Sequence, residues 1–95
     1  MKNEISSSLK KASLKIFPEF EGEFQVSKPQ DSLHGDWSSN IALIMAKEMK
    51  KNPRELADEI ISALEELDYS KKIEVAGAGF INFFLKENIF FSQIK

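Results

Sequence analysis

The residues best suited to chemistry lie late in the chain, in Phe80-Ile81-Asn82-Phe83-Phe84-Leu85. Successive side chains of a β-strand point to opposite faces. Ile81, Phe83 and Leu85 then share one apolar face, the natural core face. Phe80, Asn82 and Phe84 share the other. An amide between two phenyl rings suits an unstacked RNA base. The rings offer a stacking surface, and the amide offers a donor and an acceptor to a base edge. Stacking of a base on an aromatic ring contributes about 1–3 kcal/mol. A structural role fits the same residues: Asn82 satisfying backbone groups at a bulge, Phe80 filling the end of a hairpin.

Other candidates carry less. His34 has no cysteine or second histidine near it, which argues against zinc and for a loop residue, solvated or hydrogen-bonded. Asp36 suits helix capping better than metal ligation. Gly77-Ala78-Gly79 joins two strands rather than a strand and a helix, so it is not a dinucleotide fingerprint. There is no P-loop, and no Ser/His/Asp set can be assembled. Lys47, Lys50, Lys51, Arg54, Lys71 and Lys72 form a basic strip, either a solvated face or a set of phosphate contacts.

The composition limits what these residues can serve. The chain has 95 residues, no cysteine, and 13 Lys+Arg against 15 Asp+Glu, a net charge of −2. That length fits one domain over residues 1–95. The missing thiols exclude disulfides, zinc fingers, iron–sulfur ligation and thiol catalysis. The charge balance argues against a protein that grips nucleic acid by bulk electrostatics, and no DNA partner is expected. No run approaches the ~20 apolar residues of a membrane span, and the N-terminus has no secretory apolar core. A cytoplasmic location without a membrane partner is the expectation.

The elements that must position the strand are legible in outline. Ile5, Leu9, Ala12 and Ile16 recur at helical spacing, and Pro18 ends the pattern. Phe17 and Phe20 are expected to close the core at the helix exit. Glu23 to Ser27 alternates like a half-buried strand, which Pro29 breaks. A second helix is expected to start near Asp36 to Ser39, with Asp36 or Ser38 as its cap. Its inner face is Ile41, Ala42, Met45, Ala46 and Met49, with Leu43 and Ile44 enclosing its first turns. Asn52-Pro53-Arg54-Glu55 combines a cap, a proline at the first helical position and a glutamate three residues after the cap. The third helix is expected to run to about Leu67. Its outer face, with Glu55, Asp58, Glu65 and Glu66, reads as solubilising charge rather than a catalytic carboxylate pair. Ile73 to Ala76 and Phe80 to Leu85 read as a hairpin, and Lys86 to Lys95 as a last short helix. The sum is an α+β domain: a small antiparallel sheet with helices packed on one face, in two layers.

Three segments together resemble a known family. They are Gly35-Asp36-Trp37-Ser38-Ser39-Asn40-Ile41-Ala42, Asn52-Pro53-Arg54-Glu55-Leu56-Ala57 and Val75-Ala76-Gly77-Ala78-Gly79-Phe80-Ile81-Asn82-Phe83. In order and spacing they are similar to motifs of the N-terminal additional domain of arginyl-tRNA synthetase, and the resemblance covers essentially the whole chain. It implies a tRNA-binding module that contacts the D-loop corner of tRNA(Arg). Phe80 and Asn82 fall on the family's base-reading positions, with Phe84, Gly77, Lys71 and Lys72 as further RNA-binding candidates. Gly35, Asp36, Asn40 and Pro53 are structural motif residues, with Gly35 supplying an unusual backbone angle and Asn40 holding its loop by side-chain bonds to the backbone. Ala78 stands where the family usually has Pro, which loosens the turn that presents Phe80. Trp37 stands where Tyr is more frequent.

A class I synthetase also needs an His-Ile-Gly-His-type and a Lys-Met-Ser-Lys-Ser-type motif, and this chain has neither. The resemblance therefore implies a non-catalytic domain of a longer arginine–tRNA ligase. The catalytic domain of the same polypeptide would be a partner and would use ATP with magnesium. No cofactor or metal is expected in the domain itself. The alternative is a protein-interaction or scaffold module, either packing on the synthetase body or free-standing.

Overall fold

A computed structural model of the chain describes residues 2–64 and 70–86. Helix α1 (Lys2–Ile16) comes first, then strand β1 (Val26–Ser27), a 3₁₀ turn (Ser32–His34) and strand β2 (Trp37–Ser39). Helices α2 (Ile41–Met49) and α3 (Pro53–Ala63) follow, then strands β3 (Ser70–Ala76) and β4 (Phe80–Leu85). The strands make one sheet in the order β1-β2-β4-β3, and every neighbouring pair is antiparallel.

The apolar stripe of α1 buries Ile5, Leu9 and Ala12. Ser13 is buried with them, and its hydroxyl donates to the Lys10 carbonyl at 2.7 Å, which satisfies it within the helix. Phe20 closes the core behind α1, while Phe17 packs half-buried at its edge. Helix α3 starts as its motif demands. The Asn52 side chain accepts from the N–H groups of Arg54 and Glu55, and Pro53 holds the first turn. Leu56, Ala57 and Ile60 form its buried side. Helix α3 packs on α1 and α2, and the three helices reach β1, β3 and β4 from one side of the sheet. There Ile41, Met45, Leu56, Ile60, Ile81 and Phe83 are fully buried. Each such side chain contributes about 1.5–3 kcal/mol.

Several expectations change. Trp37–Ser39 is a strand, not the start of α2. It is three residues long and is held from both sides, by β1 and β4. A segment of Ser and Asp carries no strand period of its own, so pairing decides its state. The first strand shrinks to Val26–Ser27, leaving Phe24 packed against the core from a loop. Leu43 and Ile44 are half-buried rather than enclosed. The third helix ends at Ala63 rather than near Leu67: Leu64 is already extended, and its N–H donates to the carbonyls of Ile60 and Ile61. Glu65, Glu66 and the last short helix lie outside the described residues.

Candidate nucleic-acid interface

The register builds two rows of side chains across the sheet, one residue apart. Val26, Ser39, Ile81 and Val75 are paired in one, and Ser27, Ser38, Asn82 and Glu74 in the other. The first row faces the helices. The second lies on the opposite face and is polar on all four strands. Strand parity places Phe80 and Phe84 with Asn82 on that face.

That face is not a bare platform. Residues 28–34 fold beside it and enclose an open cleft of about 400 Å³. Ser27, Ser38, Asn82 and Phe80 line it from the sheet, and Lys28, Pro29, Gln30 and His34 line it from the loop. The loop is braced internally: the Asp31 carboxylate accepts from the Leu33 N–H at 2.9 Å, and the Asp31 carbonyl accepts from the His34 N–H at 3.0 Å. Phe80 is 42% exposed, while Asn82 is only 3% exposed. Phe80 and Asn82 share one face and one cleft, as strand parity requires, but Asn82 is buried there while Phe80 is not. Among the described residues no hydrogen bond reaches the Asn82 amide. Buried polar groups are normally paired, so an unpaired amide in a cleft wall is available to a ligand edge.

Phe80 is presented by the β3–β4 turn. Gly77 and Gly79 sit at φ +57° and +145°, where glycine is favoured. A Cβ on Gly79 would lie 2.8 Å from Cβ of Pro53. The Arg54 guanidinium donates to the Gly77 carbonyl. The first turn of α3 therefore holds the hairpin from outside, and Ala78 sits in a turn braced on both sides. The Pro-Arg segment and the glycine turn are one assembly.

A sequence model of the family described as "Arginyl tRNA synthetase N terminal domain" matches residues 1–85. The chain belongs to the arginyl-tRNA synthetase N-terminal domain family. Its relatives include arginine–tRNA ligases of Shewanella loihica, 43% identical, and Shewanella sediminis, 44% identical. Each alignment covers 99% of this chain and 17% of the relative, so the chain spans about one sixth of their length. Among solved structures, the arginyl-tRNA synthetase of Plasmodium falciparum superposes with a TM-score of 0.87 at 20% identity, over 99% of this chain and 17% of that one. The Thermus thermophilus arginyl-tRNA synthetase gives 0.80 at 20% identity, over 98% and 15%. At that identity the likeness is one of fold.

The other residues marked in this arginyl-tRNA synthetase N-terminal domain fall into distinct places. Gly35 takes φ +100°, and a Cβ there would lie 2.8 Å from the Phe83 carbonyl oxygen. Asp36 caps no helix. Its N–H donates to the Phe83 carbonyl at 2.8 Å, and its carboxylate accepts from the Leu85 N–H at 2.7 Å. It thus extends the β2–β4 ladder beyond Trp37. Ser38 faces the cleft, and the first N–H of α2, from Ile41, donates to the Ser39 hydroxyl instead. The Asn40 side chain accepts from the Gln25 N–H at 2.8 Å and so holds the loop before β1. Phe84 is half-buried outside the cleft, with the Lys72 ammonium 4.5 Å from its ring centre. Lys72 also pairs with Glu74 at 3.1 Å, and Lys71 occupies an irregularity in the β3–β4 register. Of the remaining basic strip, Lys51 lies 4.0 Å from Glu59, and Lys50 ends α2 in the left-handed conformation. The cleft brings together Phe80, Asn82 and Gly77, but not Phe84, Lys71 or Lys72. Sequence patterning misses Lys28, Gln30, Ser27 and Ser38, since nothing local in a polar connection says which strand it will fold beside. Among the described residues no group of three acidic, histidine or cysteine side chains could hold a metal. No helix there is long and apolar enough to cross a membrane.

Proposed function

We propose that this domain binds the D-loop corner of tRNA(Arg), in support of ATP-dependent arginylation by a full-length arginine–tRNA ligase of class I. The observation that carries it is the pairing of a half-exposed ring, Phe80, with an unpartnered amide, Asn82, in one cleft. A splayed-out base would stack on Phe80 and turn its edge towards Asn82. Such single-base contacts suit loops, whose bases are free to leave the stack. The chain's charge of −2 leaves non-specific affinity low, so the rest of the enzyme supplies the grip and this domain one local contact. ATP, magnesium and catalysis belong to the rest of the enzyme.

The test is arginylation kinetics of a full-length synthetase carrying Phe80→Ala or Asn82→Ala. Loss of one stacked base, about 1–3 kcal/mol, predicts kcat/KM for tRNA falling roughly 5- to 160-fold for Phe80→Ala. Wild-type kcat/KM in both variants would remove the assigned site.

A further inference from the structure

Two consecutive serines of β2 divide between the faces of the sheet. Ser39 is buried on the helix side, and its hydroxyl accepts the Ile41 N–H at 3.2 Å. Ser38 faces the cleft, half-buried, and its hydroxyl makes no hydrogen bond among the described residues. In the register Ser38 pairs with Ser27 on one side and with Asn82 on the other, and all three line the cleft. Ser27 is exposed, Ser38 half-buried and Asn82 buried, so burial deepens along the row from β1 to β4. Directly paired side chains on antiparallel neighbours have Cβ atoms about 4.5–5.5 Å apart, which sets the Ser38 hydroxyl beside the Asn82 amide. Ser27 and Ser38 also line a second hollow, of about 80 Å³, with Phe80. Phe80 belongs to both hollows, so the ring that would hold a base stands against the same two serines.

An amide alone is an ambiguous reader. By turning over it meets either order of donor and acceptor on a base edge, and no hydrogen bond among the described residues holds the Asn82 amide one way. Ser38 stands on a strand paired on both sides, so its hydroxyl is offered from a fixed place. We propose that Ser38 is a specificity-determining residue of the cleft: its hydroxyl bonds the edge of the same base that Asn82 meets, and the two groups together select which base is held. Phe80 supplies attraction without selection, since every base has a stacking face. The inference rests on the base-binding role proposed above and names the residue that gives that role its sequence preference.

Arginylation by a full-length synthetase tests it, with tRNA(Arg) transcripts carrying each of the four bases at the D-loop position whose replacement costs the wild-type enzyme most. Loss of one neutral hydrogen bond predicts that Ser38→Ala lowers kcat/KM for the preferred transcript about 2- to 13-fold. The disfavoured transcripts should change less, so the ranking of the four bases flattens, and thermal melting should match wild type. Phe80→Ala is expected to lower all four by similar factors and to keep their ranking. An unchanged ranking in Ser38→Ala, whether kcat/KM holds or falls equally for all four transcripts, overturns the Ser38 contact; a fall in Phe80→Ala then leaves the base site standing. Wild-type kcat/KM in both Phe80→Ala and Asn82→Ala, or a wild-type enzyme indifferent to every D-loop base, overturns the base site, and the Ser38 contact falls with it.

Discussion

The two cross-strand rows of the sheet differ by a single residue of register and are buried by different means. Val26, Ser39 and Ile81 are covered by helices, and their burial is apolar packing, apart from a serine whose hydroxyl accepts a backbone N–H. Asn82, in the neighbouring row, is almost as inaccessible, but it lines a cleft shared with a loop rather than a packed apolar layer. Equal burial therefore carries unequal meaning. On the inner side every buried side chain stabilises the fold. On the outer side a buried amide is left without a partner, which costs stability and makes sense as a reserved bond.

Substitutions can break that contrast. The largest effect belongs to the inner face. Phe83→Ala removes a fully buried ring and is expected to cost about 3–5 kcal/mol, a large share of the stability of a domain this size, read as the loss of a cooperative thermal transition. Next comes the junction of the two faces at Gly35. A methyl group there meets both the left-handed backbone strain and the Phe83 carbonyl. Gly35→Ala should cost about 2 kcal/mol or more in urea melts. The smallest effect belongs to the outer face. Asn82→Ala removes an unpartnered amide and should leave stability unchanged or raise it by up to about 1 kcal/mol, while tRNA binding falls. A loss above about 2 kcal/mol for Asn82→Ala would show the amide to be a structural bond and erase the distinction between the rows.

The legible parts of this fold are those with local causes. The stripe of α1, the Asn52-Pro53 start of α3 and the β3–β4 hairpin each carry their own periodicity, cap or turn. Trp37–Ser39 has none of these, so its Asp and Ser residues read as a helix start, although Asp36 serves the β2–β4 ladder instead. The faces of Phe80 and Asn82 follow from parity, a local rule. Their exposures do not, because they depend on which segment lies over each.

The sequence by itself determined the α+β class, the faces of β4 and the family, since these rest on spacing and short-range backbone preference. Tertiary structure alone decided that Asn82 lines a cleft together with Lys28 and Gln30 of the loop. It also decided that Arg54 and Pro53 brace the turn that carries Phe80. These relations join segments tens of residues apart, and only the packed chain brings them within contact distance.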